Sequence, residues 1–424
     1  MPKKYKVKMQ QQKTKPLRLL IINQNFYPDF EAVGQYMTEL AEDIAKKGIE
    51  VTVLASRGKG SKGFELYEKV SVYRIFKNIF PKNNLLGRYI NYILLFISFF
   101  LKALFLPKPD IILFTSCPPF LSFIAILLGK IRHAKLVYCI QDLFPDVAVE
   151  LGLLKNRQVV KILDSLTRFS YQISDKIIVI GAYMEERIIK KGVDPKKIVL
   201  IHNWADTDAL FPISKNQTLF YKQNKAVLGD KFIIQYSGNM GMAHEFTTIL
   251  NAAEKLQTTH SDILFKFIGG GVQERYVRQE AKNRRLKNII FFPYQGKENL
   301  NQSLNACDIA LVSMKAGFEG LIVPCKIYGI LSVAKPVVFI GNEESEIGKM
   351  IKEENCGFVI KIDDVAELIN SLLSVYNTSS KSHQMGQNGR NAIEKIYNRK
   401  LSVNKYYDTI VNICLDGKFI GGKR

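Results

Sequence analysis

The sequence predicts an α/β protein built from two open, doubly wound domains with parallel sheets. Short continuous apolar runs, typical of buried parallel strands, alternate with segments in which apolar residues recur at helical spacing. This alternation breaks once, in the middle of the chain, and then restarts. The 424 residues suffice for two or three domains of roughly 100–200 residues each. Two successive α/β domains are therefore the economical architecture.

The first half opens with a strand, a helix and a second strand. Residues 17–23 form an apolar run, a helical pattern then extends to Lys47, and Gly48 separates it from a strand at residues 51–55. A unit of this length favours a right-handed crossover between parallel strands. Further strands are predicted at residues 111–115, 136–140, 176–180 and 198–202.

The second half repeats the alternation after a polar segment, residues 206–230, which we interpret as a linker. Strands are predicted at residues 233–237, 264–269, 289–292, 309–314 and 336–340. Helices are predicted at residues 246–256, 272–283 and 399–414. The predicted division is a basic tail (1–16), a first domain (17–205), a second domain (231–395) and a C-terminal helix with a tail (396–424).

Cysteine content and charge exclude some classes of protein. The six cysteines are scattered without a CxxC pair, which argues against a disulfide scaffold and a zinc ribbon. The formal net charge is +21, so a nucleic-acid-binding protein is one alternative. The basic residues are spread along the chain, and their densest cluster, residues 278–287, lacks the interleaved aromatics of a stacking surface. No nucleic-acid partner is therefore predicted.

Two apolar runs in the first half fit either a core or a membrane surface. The run at residues 89–101 is shorter than the about 20 apolar residues that a spanning helix needs. A helix at residues 89–106 is therefore predicted to be buried or to face the membrane interface. A second run, residues 120–128, is equally consistent with a core helix. Basic residues flank both runs, which favours docking on an anionic bilayer.

Ligands of open α/β sheets bind at the carboxyl ends of the strands, so the loops there are candidate sites. Gly34 and Gln35 lie between the first strand and a helix, where glycine permits close approach and the helix N-terminus favours an anion. Asp142 follows the strand at residues 136–140 and can accept a proton or bind a hydroxyl.

Two glycine-containing turns follow strands of the second half. Gly238 and Asn239 lie in one turn, and Gly270 lies in the next. Glycine turns with free N–H groups suit phosphates, although they are also ordinary connections between strands and helices. The spacing is not that of the GxGxxG dinucleotide motif.

The segment from Glu319 to Lys326 is the most informative of the candidate loops. Pro324 is predicted to be the first residue of a helix, where its missing N–H costs nothing. A lysine in the first helical turn opposes the helix dipole. A bound diphosphate would remove this conflict between the lysine and the dipole, because the Lys326 ammonium and the N–H groups at the helix start would both bind it. A solvated lysine is the alternative.

Five segments carry a resemblance to a known family through their order and spacing. They read NQNFYPDFEAVGQYMTELAEDIAKKGIEVTVLAS, QDLFPDVAVELGLL, HNWAD, YSGNMGMAHEFTTILNAA and FEGLIVPCKIYGILSVAKPVV. Together they resemble the family 4 retaining glycosyltransferases of the GT-B fold, in particular bacterial enzymes that assemble O-antigen, capsule and colanic-acid-type polysaccharides. The resemblance extends over residues 17–412.

The resemblance implies two Rossmann-like domains that face each other across a cleft, with the last helix crossing back to the first domain. The second domain would bind a nucleotide-sugar donor, and the first would face the acceptor. Glu319, Gly320, Pro324 and Lys326 match the segment that contacts the donor in the family, and Gly34 matches a glycine near the donor phosphates. The implied reaction is sugar transfer with retention of anomeric configuration.

Three positions depart from the family pattern. Gly329 occupies the place of a ribose-binding glutamate found in many members. Asn239 and His244 fall where many members carry an arginine and a lysine, which leaves Lys326 as the main fixed cation. Asn239 is expected to donate a hydrogen bond to phosphate, and His244 to be partly charged near neutrality.

The departing nucleoside diphosphate is expected to be stabilised by Lys326 and by amides near Gly34 and Gly238. No metal or other cofactor is predicted, since no tight carboxylate cluster is evident. Asp142 is the candidate for orienting the acceptor hydroxyl. Charge, apolar runs and the resemblance predict a lipid-linked glycan acceptor and a peripheral location on the cytoplasmic face of the inner membrane. Another GT-B enzyme, such as a nucleotide-sugar epimerase, is a further alternative.

Overall fold

The computed structural model describes residues 15–29, 31–58, 61–75 and 85–420. Within these ranges the chain forms two α/β domains, each built on a largely parallel sheet with helices packed against it. The predicted architecture of two parallel-sheet domains is thereby confirmed. Residues 1–14 of the predicted basic tail lie outside the described residues.

The first domain is built on an eight-stranded sheet. Its strands are β1 (Arg18–Ile22), β2 (Glu50–Ala55), β3 (Phe64–Tyr67), β4 (Val70–Arg74), β5 (Ile111–Thr115), β6 (Lys135–Ile140), β7 (Lys176–Val179) and β8 (Ile198–Leu200). Its helices are α1 (Ala32–Lys46), α2 (Leu85–Leu104), α3 (Leu121–Arg132), α4 (Asp146–Glu150), α5 (Arg157–Ile173) and α6 (Ala182–Lys190), with a 3₁₀ helix at Pro195–Lys197.

The strand order of this sheet is β3-β4-β2-β1-β5-β6-β7-β8, and β3 is antiparallel to β4. The sequence did not predict β3 and β4. Burial alternates along both strands at this edge of the sheet. Continuous apolar runs mark only strands that are buried on both faces, so this hairpin gave no such signal.

The second domain is built on a six-stranded sheet. Its strands are β9 (Phe232–Ser237), β10 (Ile263–Ile268), β11 (Ile289–Phe292), β12 (Ile309–Ser313), β13 (Val337–Ile340) and β14 (Gly357–Ile360), in the parallel order β11-β10-β9-β12-β13-β14. Its helices are α7 (Leu219–Gln223), α8 (Lys225–Leu228), α9 (Thr247–Thr259), α10 (Glu274–Asn283), α11 (Lys297–Asn305), α12 (Lys326–Ser332), α13 (Glu346–Glu354), α14 (Val365–Asn377) and α15 (Ser379–Lys395). The sequence did not predict β14.

The segment interpreted as a linker, residues 206–230, is partly helical. It contains a 3₁₀ helix at Lys215–Gln217 as well as α7 and α8. Phe220, Tyr221 and Leu228 are buried in one cluster with apolar residues of β9 and β10. The second half of the predicted linker therefore packs against the second domain, because these three apolar side chains face its sheet.

Helix α16 (Arg399–Ile420) follows the second domain in sequence but packs against the first. Its buried side chains, which join the core cluster that contains α1, are Val403, Tyr406, Ile410 and Ile413. Arg399 forms ion pairs with Glu42 and Asp43 of α1 and with Asp206. The last helix thus connects the two domains, as the resemblance implied.

Helix α2 is half-buried. Leu95, Phe99 and Ala103 face the core, whereas Ile93 and Ile97 are exposed. The helix begins four residues before the predicted one at residues 89–106. Among the described residues, no helix combines the length and apolar character required to cross a membrane.

Candidate functional site

Loops at the carboxyl ends of the strands meet where the two domains touch. Leu143, after β6, donates a backbone hydrogen bond of 2.9 Å to the carbonyl of Leu321, after β12. Tyr36 of α1 hydrogen-bonds with the thiol of Cys325, and Asn203 Nδ2 lies 3.2 Å from the same sulfur. The loops predicted as candidate sites in the two halves of the sequence therefore meet at one cleft.

Lys326 is the first residue of α12 and extends across the turn that follows β9. Its ammonium nitrogen lies 3.7 Å from the centroid of the Tyr236 ring, hydrogen-bonds the Tyr236 hydroxyl, and lies 3.4 Å from the Asn239 carbonyl. Among the described residues it forms no ion pair with a carboxylate. Burial of this unneutralised cation lowers its pKa well below the usual value.

Pro324 does not begin the helix, contrary to the prediction. The helix starts at Lys326, Cys325 is its N-cap, and Pro324 precedes the cap. Pro324 still takes part in the turn, because its carbonyl accepts a hydrogen bond from Ile327 N–H over 3.3 Å. The helix therefore begins two residues later than predicted, and Lys326 itself is its first residue.

Glycines allow two turns of the second domain to approach each other and Lys326. Gly238 has φ of +123°, and a Cβ added there would lie 3.5 Å from Lys326 Cε. At Gly269 an added Cβ would lie 2.2 Å from the Gly238 carbonyl oxygen. The N–H of Gly238 itself donates to the Ile268 carbonyl over 2.9 Å. Gly270 accepts hydrogen bonds from Met240 N–H and the Tyr294 hydroxyl.

His244 is buried and neutral, contrary to the expectation of partial charge. Its Nδ1 lies 2.7 Å from the Ser313 carbonyl oxygen, and this contact requires a proton on Nδ1. Burial, reinforced by the charge of Lys326, lowers the pKa of His244 to about 3. Asn239 is exposed, and its carbonyl accepts hydrogen bonds from Tyr236 and Lys326. Only Asn239 therefore presents an accessible polar side chain at the two positions where family members carry cations.

Asp142 lies on the first-domain side of the cleft. Its backbone N–H lies 3.1 Å from Ser116 Oγ, and its charge contributes to a raised pKa of the Cys325 thiol. The carboxyl group is accessible to water but surrounded by protein. Desolvation raises its pKa to about 6. Asp142 is consequently a carboxyl group that changes charge close to neutral pH.

Glu319 and Gly320 lie at the same interface. Glu319 Oε2 accepts a hydrogen bond of 2.9 Å from Gly317 N–H, whereas the buried Oε1 has no hydrogen-bond partner among the described residues. The Glu319 carbonyl accepts a bond of 2.6 Å from Arg187 Nε. Gly320 has φ of +70°, and a Cβ there would lie 2.6 Å from the Tyr183 carbonyl oxygen. Glu319 is thus held through one carboxylate oxygen and its carbonyl, and its other carboxylate oxygen has no partner among the described residues.

Gly34 and Gln35 lie in the first turn of α1. Gly34 is buried, and a Cβ added to it would lie 3.1 Å from Asn25 Cβ, so the glycine allows helix and loop to touch. At Gly329, an added Cβ would lie 3.3 Å from Leu304 Cδ1 and 3.7 Å from Leu210 Cδ1. A charged side chain at Gly329 would therefore point at two leucines.

Sequence reasoning missed several contributors to this site. Tyr236 supports Lys326, while Arg187 and Asn203 of the first domain bind loops of the second. An aromatic residue near the end of a strand, before a glycine, was the only signal for Tyr236. The other two act across the domain interface and left no local signal.

The sequence contains one Asp-x-Asp triplet, residues 206–208, outside these loops. Asp206 accepts bonds from Arg399 and from the N–H groups of Asp208 and Ala209. Within the part of the chain that the structure describes, His, Cys, Asp and Glu side chains form no group of three suited to hold a metal ion.

Two family models match the two halves of the chain. A model described as Glycosyltransferase Family 4 matches residues 33–209, and one described as Glycosyl transferases group 1 matches residues 218–392. The chain is 28% identical over 300 residues to a probable glycosyltransferase, WbjE, of Pseudomonas aeruginosa, covering 70% of this chain and 74% of the relative. It is 27% identical over 357 residues to a putative colanic acid biosynthesis glycosyl transferase, WcaI, of Escherichia coli (strain K12), covering 79% and 86%.

Solved structures with the same arrangement of domains are more distant in sequence. Sucrose-phosphate synthase from Thermosynechococcus elongatus superposes with a TM-score of 0.73 at 14% identity, over 94% of this chain and 100% of that chain. Anabaena Alr3699/HepE, in complex with UDP and glucose, superposes with a TM-score of 0.72 at 13% identity, over 93% and 100%. At such identities the likeness demonstrates a shared fold.

Proposed function

We propose that this chain, which belongs to the family 4 glycosyltransferases of the GT-B fold, moves a sugar from a nucleoside-diphosphate sugar to a glycan acceptor and retains the anomeric configuration. The observation that carries the proposal is Lys326. Its ammonium lies in the cleft beside a glycine turn, and no carboxylate of the described residues neutralises it. A diphosphate is the anion that this family's donors would bring to that position.

In the proposed reaction the bond between the anomeric carbon and the diphosphate oxygen breaks, and the acceptor oxygen bonds to that carbon. Negative charge develops on the departing diphosphate, where Lys326 stabilises it. The acceptor hydroxyl loses its proton to the leaving phosphate, so no protein base is required. Asp142 orients that hydroxyl from the first-domain side, and the unpartnered Oε1 of Glu319 binds a hydroxyl of the transferred sugar.

Relatives and fold neighbours support the choice of substrates. WcaI is named for colanic acid biosynthesis, and the HepE structure holds UDP and glucose. We therefore propose a role in bacterial surface polysaccharide assembly, with UDP-sugars as the first donors to test. The acceptor would be a lipid-linked glycan, reached from the cytoplasmic face of the membrane, because the exposed apolar side of α2 and the net charge of +21 suit an anionic bilayer.

The decisive experiment measures sugar transfer by Lys326→Met, which removes the ammonium and keeps the length of the side chain. Losing this contact should raise the barrier by about 2–4 kcal/mol, a fall of roughly 30- to 900-fold in kcat. Lys255→Met, on the exposed face of α9, is the matched control and should keep the wild-type rate. A folded Lys326→Met enzyme with wild-type turnover would contradict the proposal. A sugar product formed without any acceptor would indicate an epimerase instead.

A further inference from the structure

Helix α5 is amphipathic, and its apolar side points away from the protein. The exposed apolar side chains recur at helical spacing, are 37% to 60% exposed, and comprise Val159, Ile162, Leu166, Phe169 and Ile173. The side that faces the domain carries Thr167, Ser170 and Tyr171, and Ser170 Oγ donates to Ser122 Oγ of α3 over 2.9 Å. A surface helix normally buries its apolar side. The reversed arrangement in α5 indicates that the outward apolar side of this helix contacts apolar material outside the protein.

Two neighbouring helices extend the exposed apolar surface of α5. Helix α3 contacts both α5 and α2, so the three helices form one layer on the first domain. Their other outward apolar side chains are Leu127 and Ile131 on α3, Ile93, Ile97 and Leu101 on α2, and Phe105 just after α2. We call this surface the α2–α3–α5 face. Contiguous apolar surfaces of this kind mark binding sites for proteins or membranes.

Charge distinguishes between the possible occupants of the α2–α3–α5 face. The three helices carry one acidic residue, Asp164, which forms ion pairs with Arg168 and Lys191. Their exposed basic residues include Lys130, Arg157 and Lys161. Two copies of so basic a face would repel each other. Anionic lipid head groups would pair with the basic residues while the apolar side chains enter the acyl boundary.

We propose that the α2–α3–α5 face is a docking surface for an anionic bilayer, with the outward side of α5 as a principal lipid contact. This inference extends the membrane association of the proposed function, on which it rests, from α2 to a helix that the sequence did not indicate. A cavity beside α5 is lined by Val160, Lys161 and Asp164 of that helix and by Leu321 of the cleft. Docking on α5 would therefore bring the bilayer surface next to the loop that carries Glu319.

The test measures binding of the full chain to vesicles of phosphatidylethanolamine and phosphatidylglycerol by flotation. The variant Ile162→Glu/Phe169→Glu places charge on the outward side of α5 and removes no buried side chain, so folding should be retained. We expect at least about a tenfold fall in partitioning to these vesicles. Leu219→Glu, at an exposed position on α7 of the second domain, should bind vesicles like the wild type.

Unchanged flotation of the α5 variant, or an equal loss in the Leu219→Glu control, would overturn the proposal. A wild-type chain that ignores vesicles but dimerises through α5, detected by sedimentation and abolished in the variant, would overturn it in favour of a second copy. UDP binding, followed by thermal shift, should be unchanged in the α5 variant. Conversely, Lys326→Met should lose transfer and still float, so failure of the docking proposal and failure of the proposed reaction are separable.

Discussion

The carboxylate of Glu346, in the second domain, accepts a hydrogen bond of 2.9 Å from the backbone N–H of Ala182, the first residue of α6 in the first domain. Tyr183 N–H binds the same carboxylate. Gly181 allows this approach, because a Cβ there would lie 2.8 Å from Glu346 Oε2. Glu346 therefore satisfies orphan donors at the start of α6 from across the interface, as an N-cap side chain would from within.

Replacing Glu346 should loosen the domain interface. In Glu346→Ala the N–H groups of Ala182 and Tyr183 lose their acceptor, and we expect a loss of about 1–2 kcal/mol in stability. Thermal unfolding of the variant measures the effect. Glu344→Ala, at a neighbouring exposed position, should leave the melting temperature unchanged. An equal melting temperature in wild type and Glu346→Ala would contradict this role.

Nucleotide binding should be coupled to proton uptake at Lys326. Burial lowers the pKa of the free lysine well below its usual value, and a diphosphate would raise it again. The affinity for UDP should therefore fall as the pH rises above the lowered pKa. Calorimetry in buffers of different ionisation enthalpy, near pH 8, measures the protons taken up. Equal uptake by wild type and Lys326→Met would assign the proton to another group.

Asp142 should give the pH–rate profile an acidic limb, that is, a fall in kcat/KM at low pH. Its pKa of about 6 means that the carboxylate needed to orient the hydroxyl is lost as the pH falls through that value. The rate kcat/KM should decline below about pH 6, and Asp142→Asn should remove this limb and lower the neutral rate. A limb that persists in the Asn variant would exclude Asp142 as its source.

The raised pKa of Asp142 also predicts how the stability of the fold depends on pH. Because the folded pKa lies above the unfolded value of 3.8, ionisation of this group destabilises the fold above about pH 6 and has no effect below both values. Asp142→Asn should therefore raise the melting temperature near pH 8 but not near pH 3. Equal melting temperatures of the wild type and Asp142→Asn near pH 8 would contradict this prediction.

Gly269→Ala should disrupt the turns that position Lys326. Gly269 has φ of +126°, and the added Cβ would lie 2.2 Å from the Gly238 carbonyl oxygen, so the Gly238 turn must move. We expect roughly 1–3 kcal/mol lower stability and weaker UDP binding. Gly48→Ala is matched, since Gly48 also has positive φ but no atom within 4 Å of the added Cβ. Only Gly269→Ala should weaken nucleotide binding.

Sequence alone located most elements of both sheets. Eleven of the fourteen described strands were predicted from one physical rule, since a parallel strand covered on both faces must be apolar along its length, as at Ile111–Thr115. The search of strand ends placed Asp142 and Gly238 in turns after strands and Lys326 in the first turn of a helix, where the structure has them. The edge hairpin β3–β4 lacks continuous apolar residues and was missed.

The tertiary structure decided which groups of the site are charged and which are already hydrogen-bonded. The charge of His244 depends on burial against Ser313 and on Lys326, residues that are distant in the sequence. The N–H of Gly238 is occupied because β10 supplies the Ile268 carbonyl. Likewise, the apolar periodicity of α5 is the same whether its apolar side meets a sheet or solvent. Periodicity and local propensity act between near neighbours, whereas burial, ionisation and the direction of a helix face are set by which elements come together in space.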